Sequence, residues 1–156
     1  MRLQPGRQQN IDWLYELRNG RAYQGYATQA AVAAQYPHVQ LFNPAASGKT
    51  IIVRLAKVFS TALQNIHQRL YDTALATNQA NVQNLLSGGA AAVGQTRSAT
   101  DVAILGTAFG NFGAVADESR DLFGEWVCVL AAAQGFLVNG ATVNTQLSAT
   151  FQWVEF

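Results

Sequence analysis

Charge is scarce in this chain: Asp, Glu, Lys and Arg make up 12% of its 156 residues, while 49% are hydrophobic. That charged share is about half of what a soluble domain usually carries. A surface so poor in charge suits burial against other subunits, because the centres of protein interfaces are depleted in charged side chains. The plainer reading is an exposed surface rich in Gln, Asn and Thr. The ten basic and nine acidic residues are scattered and leave a net charge of +1. No basic cluster provides the footprint that a phosphate backbone or an anionic bilayer needs, so neither nucleic acid nor membrane is expected as a partner.

Cysteine is nearly absent. Cys128, in "EWVCVLAAA", is the only one, which rules out a disulfide within the chain and predicts a small buried hydrophobe, not a nucleophile. Long apolar runs are missing too: no stretch of about 18 apolar residues could span a bilayer, and "MRLQPGRQQNIDWLYELRNGR" lacks the apolar centre of a signal peptide. The chain is expected to be made and kept in a cytoplasm.

Length allows one full-sized domain. Residues 1–34 read as an N-terminal arm, extended or partly helical, with a short helix in "NIDWLYELRNG". Asn10 would cap it, Gly20 would stop it, and Trp13, Leu14 and Leu17 would form its apolar side. Two turns do not persist alone in water, so these side chains must dock on the domain or on a neighbour.

Residues 35–156 read as the domain proper. Short β-like runs recur: "HVQLF", "TIIVRLAKVFS", "NIHQRLYDTAL", "AAVGQTRS", "TDVAIL", "EWVCVLA", "GFLVNGA" and "TQLSATFQWVEF". The last is the clearest, with Leu147, Ala149, Phe151 and Trp153 alternating with Ser148, Thr150 and Gln152. Turn residues at Ser87-Gly88-Gly89, Gln134-Gly135 and Asn139-Gly140 separate strand candidates. The expected fold is all-β, an antiparallel sandwich of jelly-roll type. A helix competes over "TALQNIHQRLYDTALATNQANVQNLL", where Leu63, Ile66, Leu70 and Leu75 partly fit a helical stripe.

Motifs of chemistry are also missing. "NPAASGKT" (43–50) ends like a phosphate-binding loop, but Asn43 stands where the first glycine belongs and Pro44 removes an N–H. The β-branched run after Lys49 reads as a strand where a phosphate loop needs a helix. The stretch is therefore expected to be a corner between two strands. His38 and His67 have no companion at metal-ligand spacing and read as surface or edge residues. Asp117, Glu118, Asp121 and Glu125 lack the glycine and the alternating ligands of a calcium loop; a solvated loop with Arg120 as counter-charge is expected. "GTAFGNFG" (106–113) has the wrong spacing for a dinucleotide fingerprint and reads as an exposed loop carrying Phe109 and Phe112. Nothing suggests a nucleophile elbow, and no catalytic residue, metal ligand or cofactor site is assigned.

Three stretches together, "VQLFNPAASGKTIIV", "RLYDTALATN...NLLSGGAAAVGQTRSAT" and "VLAAAQGFLVNGATVNTQLSATFQWVEF", resemble small tailed-bacteriophage virion proteins of the capsid-decoration or head-fibre type. In that family an "NPxxSGK" corner precedes a strand, "YDT" is followed by a GG-Ala segment, and a "PGxGLxV" turn leads to a final strand ending "FxWxE". Here these fall at Asn43 to Lys49, Tyr71 to Thr73, Gly88 to Ala92, Gln134 to Val138 and Phe151 to Glu155. The resemblance spans residues 36–156; Ala133-Gln134-Gly135 departs from the Pro-Gly often found there.

The resemblance implies a non-enzymatic β-sandwich on the surface of a virion, commonly a homotrimer, that binds the major capsid protein of the phage head and is assembled in the host cytoplasm. Trp13, Tyr15, Tyr23 and Tyr26 would then be aromatic anchors of the arm. The competing function is a tail-fibre, baseplate or host-receptor-binding module in which Phe109 and Phe112 touch a host glycan.

Overall fold

The computed structural model describes residues 13–114, 120, 121 and 128–156; at 55, 56, 112–114, 120 and 121 it describes the backbone alone. Among the described residues twelve strands follow in order: β1 (Ala22–Gln29), β2 (Tyr36–Asn43), β3 (Ile51–Ser60), β4 (Gln64–Leu70), β5 (Thr77–Asn78), β6 (Val82–Asn84), β7 (Gln95–Asp101), β8 (Thr107–Ala114), β9 (Arg120–Asp121), β10 (Cys128–Leu130), β11 (Gln134–Gly140) and β12 (Leu147–Glu155). They form two antiparallel sheets. Sheet A runs β10-β3-β12-β1-β6, with β9 also on β3; sheet B runs β5-β7-β2-β11-β4-β8. Among the described residues the fold is all-β apart from a short helix at 13–18.

The period-2 pattern of β12 explains its place. Leu147, Ala149, Phe151 and Trp153 turn inward and are buried, as are Val39 and Leu41 of β2 and Phe136 and Val138 of β11. Phe136 meets Phe151 edge-on with centroids 6.0 Å apart, and Tyr23 stacks on Trp153 at 6.0 Å. Each such large side chain, fully buried, contributes about 1.5–3 kcal/mol. At the end of β12 the buried Glu155 carboxylate accepts hydrogen bonds from Val93 N, Gly94 N and Trp153 Nε1 at 2.9–3.2 Å, fastening the 88–94 segment to the core.

The expected corner at 43–50 is present. It carries the chain from β2 of sheet B to β3 of sheet A, and Asn43 Nδ2 holds it by donating to Lys49 O (2.8 Å) and Leu130 O (3.1 Å). Ser47 N donates to Pro44 O, and Gly48 takes φ +61°, where a Cβ would be strained.

Several expectations need correction. The arm does not extend to residue 34, because β1 pairs with β12 from Ala22↔Val154 to Gln29↔Leu147 and with β6 on its other edge. Residues 22–29 thus belong to the sandwich. The helix that competes over "TALQNIHQRLYDTALATNQANVQNLL" does not form; the strand expected in "NIHQRLYDTAL" does, as β4, and β5 and β6 follow it. "TDVAIL" leaves the sheet after Asp101, whose Oδ1 accepts from Ala103 N at 2.8 Å and turns the chain. "GTAFGNFG" is mostly strand, the edge strand β8 on β4.

The helix at 13–18 ends at Gly20, which has φ +67°; the proposed cap Asn10 lies outside the described residues. Its faces differ from the expected ones. Leu14 is exposed, whereas Glu16 is buried and pairs with Arg21 at 2.6 Å. Trp13 lies 4.2 Å beneath the Arg54 guanidinium. Arg54 is the residue that falls between register partners, since Gln152 opposes Leu55 and Trp153 opposes Val53. A bulge re-aims its side chain out of the sheet, and here that side chain caps the indole.

Candidate functional site

Alternation sets the outer face of sheet A as firmly as it sets the core. With Tyr23, Gly25 and Ala27 of β1 turned inward, Gln24, Tyr26 and Thr28 must point outward. The register places Gln83, Gln24 and Gln152 in one row across β6, β1 and β12, Tyr26 beside Thr150 in the next, and Thr28 beside Ser148 in the third. Gln152 Nε2 donates to Gln24 Oε1 at 2.8 Å, and the Thr28 and Ser148 hydroxyls lie 2.9 Å apart. The outward side chains of the three strands in these rows are amides, hydroxyls and one phenol.

Beside Tyr26 this face dips into a cleft of about 320 Å³ lined by Gln24, Tyr26, Asn81, Val82, Gln83 and Leu85. Tyr26 is 52% exposed at its rim. The cleft exists because the 77–84 segment crosses from sheet B to sheet A. β5 pairs with β7 and β6 with β1, and between them the Gln79 amide bonds Thr28 N, Thr28 O and Ser98 Oγ at 2.7–3.0 Å. Ala80 sits at φ +52° in this crossing, with its N–H donating to Asn78 Oδ1 at 3.1 Å.

A second exposed patch lies at the end of the same sheet. The Arg21 guanidinium stands 5.8 Å from the Tyr15 ring centroid and 5.0 Å from that of Phe156. Tyr15 is 59% exposed, and Leu14 and Phe156 are exposed as well. The row Val129, Ile52, Val154 and Ala22 is apolar on the outer face here, with Val154 and Ala22 fully buried and Val129 exposed at its edge.

The outer face of sheet B is built differently. His38, Gln40 and Asn139 are all at 0% exposure on β2 and β11, beneath the connections around 71–75 and 105. Gln40 Nε2 donates to Tyr71 O (3.0 Å) and Thr73 O (3.1 Å), and its Oε1 accepts from Leu75 N (3.0 Å). Leu105 N donates to His38 Nε2 at 3.3 Å. Burial pushes the His38 imidazole down to about 4, with Arg69 adding to the push and the Tyr36 carbonyl and Asp101 opposing it. His38 is therefore an interior residue, contrary to the expected surface or edge position. His67 is half-buried on β4, and burial and Arg69 lower its pKa as well. Cys128 is half-buried, and desolvation raises its thiol to about 12, so the thiolate that nucleophilic chemistry needs is scarce at neutral pH.

The six expected contact residues separate. Tyr15, Tyr26 and Phe109 are exposed. Trp13 is half-buried under Arg54. Tyr23 is corrected to a core residue, 4% exposed, its phenol pKa raised by burial and by Glu155. Phe109 falls at the bulge in β8, between Ala108 and Gly110, and its ring lies 5.9 Å from that of Phe136. The Phe112 side chain lies outside the described residues. The acidic group Asp117, Glu118, Asp121 and Glu125 lies outside them too, except for the backbone of Asp121 in β9.

Among the described residues no group of three or more His, Cys, Asp or Glu is placed to hold a metal ion, and no helix is long and apolar enough to cross a membrane. Gln24, Gln83, Gln152 and the Tyr15–Arg21–Phe156 cluster had not been singled out in the sequence. No protein-family model, curated protein or solved structure matches the chain.

Proposed function

We propose that the protein is a non-enzymatic structural component of a tailed-bacteriophage virion, a capsid cement or decoration protein that binds the major capsid protein and stabilises the head. The observation that carries this reading is the exposed cluster of Leu14, Tyr15 and Phe156 around Arg21. Tyr and Arg are among the residue types that dominate interface energetics. In this reading residues 1–12 are the attaching segment, the two sheets wrap in jelly-roll fashion, and homotrimers sit at junctions on the virion surface after assembly in the host cytoplasm. The chain's low charge supports it, because few ions need desolvating when such contacts form.

The test is co-sedimentation of the purified protein with heads assembled without it. Wild type should pellet with the heads, and Leu14→Asp/Tyr15→Ala should bind at least about tenfold more weakly with an unchanged melting temperature. Equal binding by the variant, or none by wild type, overturns the reading. Removing residues 1–30 would be uninformative, because it deletes the paired strand β1.

A second reading, a tail-fibre, baseplate or host-receptor-binding module, is favoured by the amide-lined cleft at Tyr26. Co-sedimentation with tails in place of heads would select it.

A further inference from the structure

We propose that the cleft beside Tyr26 is a binding site for a neutral sugar, a hexopyranose unit or its N-acetylated form, held by the Tyr26 ring and the glutamine row of sheet A. The proposal does not depend on where in a particle the protein resides.

A pyranose offers two surfaces to a protein: a ring of hydroxyls, each both donor and acceptor, and a face of C–H groups. The first is matched by side chains that both donate and accept, as amides do without adding charge. Gln24 and Gln83 oppose each other on β1 and β6, and both line the cleft. Gln152 Nε2 donates to Gln24 Oε1 at 2.8 Å, which extends the row to a third amide. The C–H face is matched by a flat ring, and Tyr26, an exposed residue, supplies one at the rim. Leu85 adds an apolar, exposed surface for a hydroxymethyl or acetamido methyl group.

Charge decides the ligand class. Gln24, Tyr26, Asn81 and Gln83 are all neutral, so an anionic ligand finds no counter-ion among them and a cation finds no carboxylate. The cleft is also shaped at a local cost. Ala80 takes a left-handed backbone that a residue with a Cβ adopts only when its surroundings impose it, and such strain concentrates at ligand clamps. At about 320 Å³ the cleft is at the lower end of the range for small-ligand sites, large enough for one sugar ring and open for the chain to continue on either side.

The test uses the full chain against immobilised maltohexaose, cellohexaose, chitohexaose and heparin, with Tyr26→Ala, Tyr26→Phe and Gln83→Ala variants. Each of these side chains lies on the outer face, so melting temperatures should match wild type. The expected result is saturable binding to at least one neutral oligosaccharide with Kd below about 1 mM. Tyr26→Ala and Gln83→Ala should weaken it at least about tenfold, whereas Tyr26→Phe, which keeps the ring, should stay within about threefold. Chitohexaose against the two glucans decides whether the acetamido group is read. Absence of saturable binding to all three neutral sugars, binding undiminished in Tyr26→Ala, or a preference for heparin would each overturn the proposal.

Discussion

The outer faces of the two sheets carry similar residue types and meet opposite fates. On sheet A, Gln24, Gln83, Gln152, Thr28 and Ser148 stand in rows open to a partner, bonded only to one another where they bond at all through their side chains. On sheet B, Gln40, His38 and Asn139 sit under loops and are fully buried, with Gln40 and His38 bonded to the backbone that covers them. An amide in the first setting is a contact waiting for a ligand; in the second it is a fastener. The difference lies in what crosses above each sheet, not in the strands themselves.

The comparison is broken most easily at Gln40. Gln40→Leu keeps the volume but leaves Tyr71 O, Thr73 O and Leu75 N without their side-chain partner. At roughly 1–3 kcal/mol for each unsatisfied buried group, partly relieved by relaxation of the 71–75 segment, the expected loss is about 4 kcal/mol. Urea unfolding should show a lower midpoint at unchanged slope. A loss under about 1 kcal/mol would mean that the loop finds other partners and that this face resembles sheet A after all.

This asymmetry also marks how far the sequence could be read. The alternation of β12 and the turn residues of 43–50 are local signals, and the structure follows both. β1 was missed because its inward side is Tyr23, Gly25 and Ala27, too small on average to stand out against Gln24, Tyr26 and Thr28. β8 was hidden by Gly110 and Gly113, which lower strand propensity without preventing pairing at an edge. Buried Gln40 and His38 were illegible for a different reason: their partners lie 31 to 67 residues away in the chain, and no local pattern announces them. The glutamine row of sheet A needed the register of three strands before its members became neighbours.

Acid should separate the two faces next. His38, with a folded pKa of about 4 against 6.5 when unfolded, is neutral in both states above about pH 6.5 and contributes no slope there. As pH falls from 6.5 towards 4 the unfolded chain takes up a proton that the folded one refuses, so stability is lost by about 1.4 kcal/mol per unit. The total is on the order of 3 kcal/mol. Protonation would also set an N–H against the Leu105 N–H that His38 Nε2 now accepts. Unfolding free energies measured across this window should fall more steeply for wild type than for His38→Asn, which removes the titrating group. Parallel curves would show that His38 is not the buried base of this face.

The smallest effect is expected on sheet A, and its smallness is what sharpens the contrast. Gln24 and Gln152 share one exposed 2.8 Å hydrogen bond, and losing either leaves groups that water can satisfy. Gln24→Ala, Gln152→Ala and the double variant should each lie within about 0.5 kcal/mol of wild type, with a coupling energy no larger than that. A coupling above about 1.5 kcal/mol, in a double-mutant cycle followed by urea unfolding, would mean that the glutamine row is fixed as a structural unit. A row of that kind could not turn its amides towards a ligand without loss. A weak coupling leaves both side chains free to exchange their mutual bond for new partners, as a binding face requires.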